Sequence, residues 1–268
     1  MFAKRLISAV VLLAAMAVIF AAGGYLLLGL CVIATLVGTY ELLRAGHMEK
    51  SVPGYISYVS VIGFYLLLFF GRGNMVEGWI AAVVVLMLAA YVFTYPNYVI
   101  EQISLCLLAV VYVGVLGSYL YQVRCLEYGN WFVWLILIGA SGSDTFAYLV
   151  GRLWGKRHFS ELSPNKTVEG CIGGVAGAVL LAGIYSFFLP EGASRMFDWN
   201  VHLAFPVIGM VCSGVSQIGD LAASAVKRNF KIKDYGDLIP GHGGVLDRID
   251  SILFVAPLVY YLLYWFIG

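Results

Sequence analysis

The chain has 268 residues, of which 62% are hydrophobic and only 12% charged, with a formal net charge of +1 and a mean hydropathy of +0.91. That composition excludes a soluble globular domain, and apolar runs that repeatedly reach about 20 residues mark an integral membrane protein. A net charge so near zero says nothing of partners; what matters is where the charges sit, and nothing in the chain points to nucleic acid.

In chain order, the apolar windows predict spans near 5–22, 25–43, 54–70, 78–95, 103–122, 131–150, 170–189, 202–222 and 251–267. The expected fold is all-α, a polytopic membrane protein of about nine transmembrane helices. The runs are continuously apolar rather than alternating, and an open strand edge in lipid would leave backbone groups unsatisfied. The first span follows Lys4-Arg5 and ends in Ala21-Ala22-Gly23, which also fits a cleavable signal peptide; its length and the apolar run after it favour a retained span.

With nine spans, one side of the membrane collects Lys4, Arg5, Arg44, Lys50, Arg152, Lys156, Arg157, Lys166, Lys227, Arg228, Lys231, Lys233 and Arg248. The other side holds Arg72, Arg124 and Arg195. Thirteen of the 16 cations on one face predict a cytoplasmic N-terminus and an outside C-terminus, in the cytoplasmic (inner) membrane.

Residues 1–125 carry few ionisable side chains and read as a scaffold of five spans. Small-residue clusters such as Ala21-Ala22-Gly23-Gly24 serve close helix packing there. Residues 126–268 read as the catalytic region, with cytoplasmic loops 151–169 and 223–250. The five cysteines, at 31, 106, 125, 171 and 212, form no CxxC pair and read as packing residues.

The second half holds the polar chemistry. Asp144 lies well inside span six and Asp220 near the cytoplasmic end of span eight, and acids within spans are candidates for function. A structural pairing of Asp144 with Arg152 is the plainer alternative. On a helix continuing past span eight, Asp220, Ser224, Lys227 and Lys231 fall on one face. Asp247 and Asp250, three apart where span nine begins, share another and bracket Arg248. In loop 151–169, Ser163-Pro164 predicts an N-cap and first-turn pair, which puts Lys166 in the opening turn of span seven, beside the positive end of its dipole.

Carboxylates among cations suit a polyphosphate. Hard oxygens take Mg²⁺, which keeps its waters and bridges phosphate oxygens; Lys and Arg neutralise the other anionic oxygens. Gly241, Gly243 and Gly244 let backbone amides approach closely. The outline is a phosphoryl or nucleotidyl transfer site. Taken singly, the basic cluster also fits a topogenic or lipid-binding loop, PGHGG a turn, and His242 a solvated loop residue. A purely topogenic loop, however, gains nothing from four embedded acids.

The stretch SAVKRNFKIKDYGDLIPGHGGVLDRID, Ser224 to Asp250, resembles the signature of the phosphatidate cytidylyltransferases, S-x-hydrophobic-K-R, four residues, K-D, then P-G-H-G-G-hydrophobic-x-D-R-x-D. SDTFAYLVGRLWGK and SPNKTVEGCIGG are similar to the family's upstream blocks, with Asn165 and Val168 in place of the more usual Lys and Trp. The specific match covers residues 141–250. This resemblance implies transfer of CMP from CTP to phosphatidic acid, giving CDP-diacylglycerol and pyrophosphate with Mg²⁺. Asp220, Asp247 and Asp144 are then the expected metal ligands, Asp250 completes or orients the site, and Lys227 joins these acids as catalytic. Lys166, Arg228, Lys233, His242, Gly243, Gly244, Arg248 and Ser224 are expected to contact substrate.

A second cation is plausible in such a site, and the odd span count with lateral entry of membrane lipid leaves room for a homodimer. Two rival readings stand beside this one. Related enzymes use CTP with an isoprenoid ether lipid or a polyprenol as acceptor. A transporter would also carry acids within spans, but across the midplane and with an inverted repeat, which is not visible here.

Overall fold

The computed structural model describes residues 18–160, 162–238 and 243–267, with positions 164 and 165 described by their backbone alone. The expected span at 5–22 thus lies almost wholly outside the described residues. The other eight are present as α1 (Gly24–Ala45), α2 (Val52–Phe69), α3 (Val76–Thr94, after a 3₁₀ turn), α4 (Ile100–Cys125), α5 (Gly129–Trp154), α6 (Val168–Ser186), α8 (Val201–Asn229) and α9 (Leu246–Ile267), with a short α7 (Glu191–Arg195) before α8. The eight long helices run from 18 to 29 residues. At 1.5 Å per residue that is roughly 27 to 44 Å, against about 30 Å of hydrocarbon in a bilayer. Among the described residues, eight helices are therefore long and apolar enough to cross a membrane, and the protein is an all-α polytopic membrane protein.

Local chemistry sets the helix boundaries. Ser51 caps α2, its hydroxyl accepting from Gly54 N at 3.0 Å, with Pro53 in the first turn where no N–H is needed. Two long helices are not uniformly α. Residues Ala109–Val115 of α4 and Ile138–Gly142 of α5 are π-helical. An inserted residue of this kind rotates everything beyond it, and such bulges are frequent at functional sites. The segment in α5 ends just before Ser143 and Asp144.

Loop 151–169 departs from expectation. His158–Ser160 (β1) pairs antiparallel with Ser163–Thr167 (β2), His158 opposite Thr167 and Ser160 opposite Ser163. Ser163 is consequently not an N-cap, and Lys166 precedes α6 instead of lying in its first turn. The true cap is Thr167, whose hydroxyl accepts from Gly170 N at 3.1 Å. Glu169 gives the physical reason. Its carboxylate accepts from Lys156 N at 3.1 Å and Arg157 N at 3.2 Å, holding the chain before β1 against the helix start so that the return segment runs extended.

The helical face expected from Asp220 to Lys231 is shortened as well. Helix α8 ends at Asn229 and Lys231 has a left-handed backbone, φ +56°, so it leaves the face on which Asp220, Ser224 and Lys227 remain.

The chain packs as two compact units. One joins the described residues up to Leu27, Tyr119–Arg228 and the chain from Asp250; the other joins Leu28–Ser118 with the described part of Asn229–Ile249. The second polar loop therefore packs with the early spans. In the first unit, α5 and α6 approach along Gly170, Gly173, Gly174 and Gly177. A Cβ on Gly173 would lie 2.5 Å from Val150, and one on Gly177 would enter the Phe146 ring. Small residues allow this backbone approach where lipid offers no hydrophobic drive between helices. Ser143 and Ser213 hydroxyls, 2.6 Å apart, tie α5 to α8. In the second unit, Ser57 on α2 donates to Cys106 O on α4 at 3.2 Å, around a core that includes Leu42, Leu43, Val61 and Ile103.

Candidate active site

Within the first unit, α5, β2, α6 and α8 enclose a cavity of about 650 Å³ whose lining includes Asp144, Tyr148, Arg152, Lys166, Gln217 and Asp220. That lies within the roughly 300–1,000 Å³ typical of small-ligand pockets. Close glycine packing brings the backbones of α5 and α6 together, and the strand ahead of α6 delivers Lys166 to the wall. Gln217 Nε2 donates to Cys171 O at 3.0 Å, binding α8 to α6 on the side that carries Asp220.

Lys166 Nζ stands 2.5 Å from Asp220 Oδ2. Beyond this ion pair, the buried Nζ meets no hydrogen-bond acceptor among the described residues. An ammonium carries three donors, so a single carboxylate leaves capacity for an anionic ligand. Arg152, on the same wall, gives its Nη1 to Tyr148 OH at 3.2 Å.

Asp250 is buried at the start of α9, within electrostatic reach of Asp220, Lys227 and Asp144, and accepts from Ser251 N at 2.7 Å. Ser224 is half-buried one turn beyond Asp220, and Arg228 is exposed at the end of α8. Of the residues singled out in the sequence, Asp144, Asp220, Asp250, Lys166 and Lys227 thus gather in one unit, although they come from three helices and a strand.

The remaining candidates belong to the second unit, and there carboxylates bind backbone. Asp247 Oδ2 accepts from Tyr235 N at 2.8 Å and Gly244 N at 3.0 Å. Gly243 has φ +80°, and a Cβ on it would sit 3.0 Å from that same oxygen; only glycine suits this turn. Lys233 and Arg248 are exposed. His242 lies outside the described residues.

Glu41, near the end of α1, holds the same turn and was not disclosed by the sequence. It is 3% exposed, and its two oxygens accept from Val245 N at 2.9 Å and Leu246 N at 2.7 Å. A helix begins with N–H groups that lack partners, and α9 is capped by a carboxylate from another helix. A Cβ on Gly236 or Gly244 would come within 2.6 Å of the Glu41 oxygens. The available signal was an acid at the end of an otherwise apolar run, in a region read as scaffold.

Among the described residues, no three His, Cys, Asp or Glu side chains are grouped so as to hold a metal ion. Asp144 and Asp220 nevertheless present hard oxygens to one cavity, a donor set that fits Mg²⁺, which needs only one or two carboxylates when water and phosphate supply the rest.

A sequence model of the cytidylyltransferase family matches residues 3–266. Curated proteins similar to the chain include the phosphatidate cytidylyltransferase of Bacillus subtilis, 36% identical over 234 residues and covering 85% of this chain and 84% of the relative. Those of Staphylococcus saprophyticus and Staphylococcus haemolyticus are 31% and 33% identical, each alignment covering 97% of this chain and 98% of the relative.

Proposed function

This chain belongs to the cytidylyltransferase family, and from that premise we propose that it joins CTP to phosphatidic acid, releasing pyrophosphate and CDP-diacylglycerol for phospholipid synthesis. The observation that carries the proposal is the cavity in which Lys166 pairs with Asp220 while Asp144 lines the same wall. An anion-binding cation and hard carboxylates stand together at the ends of spans, where a soluble nucleotide meets a lipid headgroup. The thirteen-to-three distribution of Lys and Arg supports a cytoplasmic site in the inner membrane.

Phosphatidate's phosphate is anionic near neutral pH, so its oxygen can attack the α-phosphorus of CTP without a dedicated base. One P–O bond forms to the lipid phosphate, the bond between the α-phosphorus and the bridging oxygen breaks, and the electron pair leaves with pyrophosphate. The protein's task is alignment and charge neutralisation. Lys166 binds phosphate oxygens with the donors that Asp220 does not take. Lys227 and Arg228 extend positive charge along α8 toward the surface, with Ser224 a further polar contact. Lys233, His242, Arg248 and the Gly243 amide complete the substrate contacts, while the Gly244 N–H, expected to join them, is taken by Asp247. Asp220, Asp144 and Asp247 would hold Mg²⁺, which when bound supplies Lewis-acid stabilisation of phosphate charge; Asp250 orients the neighbouring acids, and their surplus negative charge suits a second cation.

The test uses purified protein in mixed micelles with CTP, phosphatidic acid and Mg²⁺, following pyrophosphate and lipid product together. Asp220→Asn should lower turnover by about a hundredfold or more, and a chelator should stop the reaction. Well-folded protein that makes no liponucleotide with any phospholipid acceptor sinks the proposal. Phosphorylation of a polyprenol, or solute uptake into proteoliposomes without CTP turnover, would identify which rival replaces it.

A further inference from the structure

Resting on that reading, we propose that Glu41 is a positioning residue for the transfer reaction, a clamp by which the first described span fixes the Gly243–Arg248 turn and so the orientation of Asp247. Glu41 is not among the residues that line the cavity, and nothing in the signature motif includes it. Among the described residues, its two oxygens accept from two backbone N–H groups, Val245 at 2.9 Å and Leu246 at 2.7 Å. They belong to the residues just before Asp247, whose own carboxylate reaches back to Tyr235 N and Gly244 N.

Two carboxylates therefore bind three amides of this turn and a fourth at Tyr235, one carboxylate from inside the loop and one from a distant helix. Removing either Glu41 bond frees the start of α9 and, with it, the direction in which Asp247 and Arg248 project. The glycines explain why the clamp is tight. Gly236 and Gly244 are the residues whose missing Cβ atoms let the backbone close around the Glu41 carboxylate. A buried acid bonded to helix N–H groups has a charge-assisted bond to each, supported by the helix dipole.

Glu41→Gln keeps size and shape but offers one oxygen and an NH₂ group, so one of the two amides loses its acceptor. Leu43→Ala, at a fully buried neighbour on the same helix, perturbs packing while keeping both Glu41 bonds to the turn in place and serves as the control. The first readout is amide exchange of the peptide containing Val245 and Leu246, by mass spectrometry on the whole protein in micelles. The second is kcat and the Mg²⁺ concentration for half activation.

Glu41→Gln should exchange this peptide at least about tenfold faster, lower kcat by about tenfold, the loss expected for one charge-assisted hydrogen bond, and raise the Mg²⁺ requirement. It should leave KM for phosphatidic acid unchanged. Leu43→Ala should lower the melting temperature while kcat per folded molecule and the Mg²⁺ requirement hold. Unchanged exchange in Glu41→Gln overturns the clamp whatever the activity does, and so does a kcat loss that merely tracks melting temperature as in the control. Wild-type protein without cytidylyl transfer, but with exchange that accelerates in the variant, would bring down the functional reading and leave the clamp as a feature of the loop alone.

Discussion

The cavity of the first unit and the loop of the second put the same residue types to opposite use. Around the cavity, Asp220 meets an ammonium and Asp144 lines the same wall, so side-chain charge borders the space a ligand would enter. In the loop, Glu41 and Asp247 turn their oxygens onto four backbone amides, and charge becomes architecture. A carboxylate in a membrane protein is costly in either setting. What distinguishes the two is the partner, a movable side chain that ligand can share or a fixed N–H that ligand cannot displace without unmaking the turn.

The sharpest way to break this contrast is at Lys166. Lys166→Met removes one of the two cations lining the cavity among the described residues and leaves Asp220 without its partner, so kcat/KM for CTP should fall by about 10² to 10³, with Lys166→Arg restoring only part because a planar fork does not replace a point charge. Near-normal kcat/KM in Lys166→Met would show that the cavity is not where phosphate binds. Next in size is Asp247→Ala, which removes the one oxygen that accepts from both Tyr235 N and Gly244 N. If its role is partly architectural, the loss of turnover should come with a loss of stability of about 1–3 kcal/mol, the cost of leaving a buried N–H without its acceptor, read from denaturation in micelles. Asp220→Asn should lower turnover without that stability loss, and equal destabilisation of both would erase the difference between the regions.

How far each region could be read in advance follows from the same distinction. The spans were legible because bilayer thickness is written directly into run length: 25–43 and 54–70 were expected where Gly24–Ala45 and Val52–Phe69 stand. Asp144, Asp220 and Lys166 were legible because charge within or beside apolar runs needs a reason. Glu41 was not, since its partners are backbone amides some two hundred residues away, and backbone has no sequence signature. Ser163-Pro164 misled for a related reason. It satisfies the local rule for a helix start, but Glu169 and the pairing of β1 with β2 decide the matter through contacts that no local window contains.

The smallest expected effect separates packing from chemistry within the first unit. Gly177→Ala places a methyl where the Phe146 ring lies, and overpacking of this kind costs about 1–3 kcal/mol. Gly177 is two turns along α6 from Gly170, which lines the cavity, so the strain falls on the joint between α5 and α6 and not on the charged wall. Melting temperature should drop while kcat per folded molecule changes less than about twofold, because no interaction made only in the transition state is removed. A kcat loss out of proportion to the destabilisation would mean that the separation of α5 from α6 sets the distance from Asp144 to Asp220 and Lys166. The glycine stripe would then be part of the catalytic geometry, and the division between residues that build and residues that act would hold in the loop alone.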